Sequence, residues 1–202
     1  MRLYVLAMDD EAKDLLPFFE LVQTIPYKLY KNKNNLLAIT MIGKVNASFV
    51  LSTVLATYKV TEVVNLGFSG ANGDFNIGDI YIIEEARYHD VDVTMFGYEH
   101  GQVPKMPASY FSDQNLVSRF DYPKTKIYTG DCFMTTMKEG NYLVDMEVTA
   151  LFQVAYRTMI PIISIKVISD VIGREKHLDD YATFEKTGSS KILEIYRRIE
   201  KL

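Results

Sequence analysis

Residues 160–170 read Ile160-Pro161-Ile162-Ile163-Ser164-Ile165-Lys166-Val167-Ile168-Ser169-Asp170. The run is apolar and β-branched up to Ile168, and it follows residues 145–158, which read as a helix; together these predict a buried strand. Residues 62–66 form a second apolar strand ending at Gly67, and residues 3–8 a third. Asp9, Asp10 and Glu11 follow at once, and with Ala12, Leu15 and Leu16 at helical spacing they predict a helix entered from the strand's carboxyl end. Pro17 interrupts or ends it. Residues 27–30 and 36–41 flank the polar turn Lys31-Asn32-Lys33-Asn34-Asn35 and predict a hairpin. Residues 45–58 and 181–199 carry helical spacing, and 77–83 and 125–129 read as further strands. Residues 87–109, with Gly97, Gly101, Pro104 and Pro107, predict a long ordered loop, which a compact domain rarely keeps without a use. Strands alternating with helices, several too apolar to show a wet face, place the chain in the α/β class with helices on both sides of the sheet. The hairpin makes the sheet mixed.

A length of 202 residues predicts a single domain spanning 1–202. With 48% hydrophobic and 24% charged residues, the chain is too apolar to stay disordered. Its 22 basic against 26 acidic residues give a net charge of −4 without a long block of either sign, which argues against a nucleic-acid or polybasic membrane surface. Cys132 is the only cysteine, so no disulfide forms within the chain and no cysteine-cluster metal site exists. A small, buried Cys132 side chain is the expectation. Residues 1–8 are too short an apolar run for a signal peptide, and no apolar stretch reaches the ~20 residues that cross a bilayer. A cytoplasmic location is expected.

In open α/β sheets ligands collect at the carboxyl ends of strands. Those ends carry Asp9-Asp10-Glu11, Gly67 to Gly73, Gly130 to Phe133 and Ser169-Asp170, while Glu147 stands at the start of an apolar helix. Glu11, Glu147 and Asp170 are therefore candidates to converge on one cleft for acid/base work on a polar substrate. Each has a structural alternative: Asp170 as a cap of a following helix, Glu11 as a partner of a helix amino terminus, Glu147 as a solvated surface acid. Gly67-Phe68-Ser69-Gly70-Ala71-Asn72-Gly73 lacks dinucleotide spacing and reads first as a turn. His89, Asp90, Asp92 and His100 form no helical metalloprotease motif, and a structural or interfacial role is expected for them.

The stretch Glu85-Ala86-Arg87-Tyr88-His89-Asp90-Val91-Asp92-Val93-Thr94, continued by Phe96-Gly97-Tyr98 and Gly101-Gln102-Val103-Pro104, is the most specific part of the chain. With Ala7-Met8, Glu11, Ile42-Gly43-Lys44-Val45, Gly130-Asp131, Met146-Glu147 and Ser169-Asp170 in order, it resembles the 5′-methylthioadenosine/S-adenosylhomocysteine nucleosidases of the purine nucleoside phosphorylase superfamily. The resemblance implies a nucleoside phosphorylase-like, three-layer α-β-α sandwich around a central mixed sheet. It also implies hydrolysis of the N-glycosidic bond of methylthioadenosine and S-adenosylhomocysteine, with no metal or other cofactor. Carried over by residue, Asp170 protonates the purine at N7, Glu11 activates or orients water, and Glu147 holds the ribose hydroxyls. Met146 packs beside the sugar, and Phe133 with the backbone of Met134 lines the base pocket. Ile42, Phe68, Ser69, Gly70, Lys166, Ser169 and Tyr181 complete the implied substrate contacts. A homodimer is implied too, with Phe96 and Pro104 crossing to cover the partner's thioalkyl pocket.

Four positions depart from the family pattern. Phe68 stands where a small hydroxyl residue is common, with Ser69 beside it, and Lys166 replaces an arginine, keeping charge but losing the planar fork. Asp145 replaces a glutamate, and Tyr181 is offset from the usual base-stacking aromatic. A phosphate-dependent nucleoside phosphorylase and a divergent nucleoside-binding protein are the alternatives; the three retained carboxylates favour the hydrolase.

Overall fold

Apolar runs from distant parts of the chain meet in one mixed ten-stranded sheet. The structure, a computed structural model, describes residues 1–136, 139–174 and 177–201. β1 (Arg2–Leu6) lies parallel between β4 (Asn35–Ile39) and β5 (Glu62–Asn72), and β5 runs parallel to β10 (Ile162–Val171). Every residue of β10 is buried, which is the state its composition predicts for a strand covered on both faces. The polar turn at 31–35 joins β3 (Lys28–Lys31) to β4 as an antiparallel hairpin. β2 (Glu20–Gln23) extends it at the sheet's edge, largely exposed, after a 3₁₀ turn at Leu16–Phe18 that contains Pro17.

Beyond β10 the sheet continues through β6 (Ile80–Tyr88), β8 (Lys124–Thr129) and β9 (Tyr142–Asp145), with the two-residue β7 (Tyr110–Phe111) added on β6. β9 then pairs antiparallel with the far end of β5, so β5, β10, β6, β8 and β9 close into a ring. This closure corrects the turn reading of Gly67 to Gly73. Gly67 and Gly70 sit inside an eleven-residue strand, which bonds β1 with its first half and β9 through Gly70, Ala71 and Asn72; only Gly73, with φ +107°, lies in the bend beyond it.

Alternation along the strands divides the interior into two cores, one on each face. Leu3, Val5 and Val63 pack with Val50, Leu51 and Val54 of α2 (Lys44–Thr57) and with Leu151, Phe152 and Ala155 of α4 (Val148–Thr158). Tyr4, Leu6, Val64 and Leu66 face the other way, onto Ile192, Ile195 and Tyr196 of α6 (Ser189–Ile199). The result is the helix–sheet–helix sandwich. Helical spacing over 181–199 resolves into α6 and the preceding α5 (His177–Thr187), parted at Gly188, where a Cβ would run into the ring of Phe184. Two short helices, α1 (Asp9–Ala12) and α3 (Gln114–Val117), complete the set. The helix expected over 145–158 starts only at Val148, because Asp145 is still paired in β9 and its Oδ2 accepts the Val148 backbone N–H at 2.9 Å.

Candidate active site

The carboxyl end of β1, the middle of β5, the end of β10 and the β9–α4 junction surround one cleft of about 170 Å³. Ala7, Met8 and Glu11 come from the first, Phe68, Ser69 and Gly70 from the second, Ser169 and Asp170 from the third, and Val144, Asp145, Met146 and Glu147 from the fourth. Ile42, Cys132, Phe133 and Met134 enter from loops, and Tyr181 from α5.

Glu11 is buried, and its carboxyl turns back over the end of β1. Oε2 accepts the backbone N–H of Ala7 at 2.8 Å and of Met8 at 3.1 Å, and Oε1 accepts that of Phe68 at 2.8 Å. Burial raises its pKa; the Lys166 charge and those three amides act against the rise. Three N–H groups aimed at one carboxyl bind it as the anion, in a place where a proton is easily accepted. Gly67 makes this possible, since a Cβ there would lie 2.6 Å from Glu11 Oε1. The acidic first turn of α1 is thus more than a partner for the helix end.

Glu147 is likewise buried, with Oε1 accepting the Gly43 N–H at 2.9 Å. Burial first, and then the neighbouring Asp145 charge, push its pKa up to about 8. Lys166 lies behind these acids: Nζ is 3.3 Å from Asp145 Oδ2 and 3.4 Å from the Phe68 carbonyl, and the side chain is 2% exposed. Burial acts to discharge it, but Asp145, Glu11 and Glu147 more than offset that and hold its pKa above the ordinary lysine value. One lysine cation therefore stands among three acids.

Asp170 belongs to β10 and caps no helix, which overturns the capping alternative. Burial raises its pKa, while Ser169 and His177 pull the other way. Ser169 Oγ is 2.5 Å from Oδ1, and His177 Nε2 is 2.7 Å from Oδ2. Gly70 admits the carboxyl, because a Cβ there would stand 3.0 Å from Oδ2. The cleft thus offers a protonatable acid at one end and an amide-held carboxylate at the other, with a further acid between the loops.

Residues 3–130 and 133–199 match the phosphorylase superfamily. A 5′-methylthioadenosine/S-adenosylhomocysteine nucleosidase of Bacillus subtilis (strain 168) is 34% identical over 193 residues, 84% of each chain. The chain belongs to that nucleosidase family. A family structure from Neisseria meningitidis in complex with methylthio-immucillin-A superposes with a TM-score of 0.89 at 27% identity, covering 99% of this chain and 98% of that one. A protein of Borrelia burgdorferi B31 bound to adenine gives the same TM-score at 29% identity, over 100% and 99% of the two chains.

Within this nucleosidase fold, most residues expected at the site line the cleft: Glu11, Ile42, Phe68, Ser69, Gly70, Phe133, Met134, Met146, Glu147, Ser169, Asp170 and Tyr181. Lys166 does not. Its inward position in β10 buries it beneath the floor, and its placement corrects the expectation of a direct substrate contact. Phe68 packs edge-on against Phe184 with centroids 5.1 Å apart, while the Ser69 hydroxyl is buried without a hydrogen-bond partner. Phe96 and Pro104 are exposed and lie outside the cleft lining of their own chain. Cys132 is exposed at the cleft, contrary to the buried side chain expected, because it sits in the loop after β8 rather than in a strand. Asp90 is occupied by Lys44, and among the described residues no group of three or more metal-ligating side chains is arranged to hold an ion. His177 is the site residue that sequence reasoning missed; Asp145, noted there only as a departure from the family's glutamate, lines the cleft and pairs with Lys166.

Proposed function

We propose that this chain hydrolyses the N-glycosidic bond of 5′-methylthioadenosine and S-adenosylhomocysteine, releasing adenine and the thio-substituted ribose. The observation that carries the reading is the meeting of Glu11, Glu147 and Asp170, from three distant segments, in one cleft of a chain in this family. Asp170 gives its proton to N7, so that adenine departs neutral. Cleavage leaves positive charge on the ribose, and a cleft in which Glu11, Glu147 and Asp145 surround a single lysine binds that charge better than the neutral substrate. Glu11 takes the proton of the attacking water, and Glu147 accepts from the ribose hydroxyls. Met146 packs on the sugar, and Phe133 with Tyr181 covers the base. The unpartnered Ser69 hydroxyl supplies a polar contact beside Phe68.

Purified protein in phosphate-free buffer should release adenine from both thio-nucleosides, followed by chromatography. Turnover that appears only on adding phosphate would assign a phosphorylase instead. No turnover under either condition would leave a nucleoside-binding protein.

A homodimer belongs to the same proposal. Met41, Val45 and Phe49 near α2, and Met95 and Phe96 on the long loop, are large apolar side chains left between 49% and 84% exposed. A second copy covering them would bring Phe96 and Pro104 over the partner's thioalkyl pocket. Sedimentation at twice the mass of one chain is the expected result, and a monomer at micromolar concentration would refute it.

A further inference from the structure

Asp170 is gripped at both carboxyl oxygens, and the two grips differ. Ser169 Oγ lies 2.5 Å from Oδ1 and also 3.1 Å from the Ser69 carbonyl. Its single hydrogen cannot serve both acceptors. With no base in the cleft, a proton on Asp170 Oδ1 is donated to Ser169 Oγ and Ser169 donates on to the Ser69 carbonyl; when a purine is bound, the same O–H turns from Ser169 to N7. When Asp170 is ionised, the serine hydrogen turns to Oδ1. The serine is therefore a partner that reverses.

His177 is the other partner. It opens α5 seven residues beyond Asp170, is buried, and stacks its ring on Phe133 with centroids 5.7 Å apart and planes 20° from parallel. Nε2 lies 2.7 Å from Oδ2, the oxygen that Ser169 does not touch. With the Nε2–H tautomer, His177 donates to Oδ2 whether Oδ1 is protonated or not. That bond joins a neutral acid before proton transfer and a carboxylate after it, and charge-assisted bonds are roughly twice as strong as neutral ones. An interaction that strengthens as the proton leaves lowers the barrier to its leaving.

We propose that His177 is a positioning residue for the acid step: its Nε2–H fixes the plane of the Asp170 carboxyl and stabilises the carboxylate formed when Oδ1 gives its proton to the base. The inference rests on the nucleosidase reading above. In that step the Asp170 O–H bond breaks and the N7–H bond forms. The electron pair of the C1′–N9 bond passes to the purine, which leaves as neutral adenine. The water oxygen bonds C1′ while its proton passes to Glu11, and solvent later restores both carboxyl groups. His177 ends with the proton it began with.

The test compares the wild type with His177→Ala and His177→Gln, the second retaining an N–H donor. Adenine release from methylthioadenosine gives kcat, and calorimetric binding of the 7-deaza analogue, which has C–H where N7 is protonated, reports the cleft independently of proton transfer. His177→Ala should lower kcat about 10- to 100-fold, the range of a hydrogen bond to a charged group. The Kd of the 7-deaza analogue should stay at the wild-type value, and His177→Gln should recover part of the lost kcat. An unchanged kcat in His177→Ala overturns the inference. So does a loss of 7-deaza binding in step with kcat, which would make His177 a wall of the pocket, and so does a His177→Gln variant as slow as His177→Ala. Failure of the wild type itself to release adenine would overturn the nucleosidase reading, and with it this inference, and is seen before any variant is made.

Discussion

Asp170→Asn should lower kcat for adenine release about 10²- to 10⁴-fold, the usual contribution of a positioned general acid. The substitution preserves shape and hydrogen-bonding reach, so the variant should fold and still bind purine, but the N–H of an amide is far too weak an acid to protonate N7. Its position in the fully buried β10, with Gly70 leaving room for the carboxyl, keeps the side chain against the cleft. Burial is the largest influence on its pKa and raises it, so the protonated fraction extends toward neutral pH further than for a solvated aspartate. Wild-type activity should accordingly hold on the acid side and decline as pH rises past that raised pKa, a limb absent from the Asn variant's profile. The check is kcat against pH for both proteins. A folded Asp170→Asn enzyme running at the wild-type rate would remove the acid role from this residue.

The strongly apolar strands were legible because burial on both faces leaves a composition that little else explains: Leu3, Val5, Val63, Ile163 and Ile165 face opposite helical layers from adjacent strands. The hairpin was legible from its polar turn. β5 was legible only as far as Leu66, because Gly67, Gly70 and Gly73 together look locally like a turn; the strand runs on through Gly67 and Gly70 to Asn72 because the ring closure supplies hydrogen-bond partners on both sides and because the Glu11 and Asp170 carboxyls occupy the space of their missing Cβ atoms. β2 and β9 escaped notice for a related reason, being four residues each, with β2 almost wholly exposed.

At the site, the candidate acids were visible at strand and helix ends, and the family resemblance supplied their roles. What stayed hidden was contact across the chain. Nothing in the local sequence places His177 on Asp170, since the bond depends on how α5 folds back onto β10. Lys166 was misplaced for the same reason. The family resemblance implied a substrate contact, whereas an inward strand position surrounded by Asp145, Glu11 and Glu147 makes it an internal counter-ion. Cys132 shows the converse: a residue type usually buried is exposed because it lies in a loop at the cleft.

Glu11→Gln should have an effect comparable to that of Asp170→Asn, about 10²- to 10⁴-fold in kcat, by a different route. Both carboxyl oxygens accept backbone N–H groups, Oε1 from Phe68 and Oε2 from Ala7 and Met8. A glutamine must turn its NH₂ toward one of these donors, so at least one N–H in a buried site loses its acceptor, at a cost of about 1–3 kcal/mol in folding stability. The substitution also removes a negative charge beside Lys166, leaving that buried cation with Asp145 and Glu147. Most directly, it removes the base that takes the water's proton. Denaturant midpoints would read the first effect and single-turnover adenine release the last. Because Glu11 acts on water and sugar rather than on the base, adenine alone should bind Glu11→Gln as it binds the wild type while kcat collapses. Equal losses of adenine affinity and of kcat would instead assign Glu11 to the purine end of the cleft, and the division of labour between the two carboxyl groups would have to be reversed.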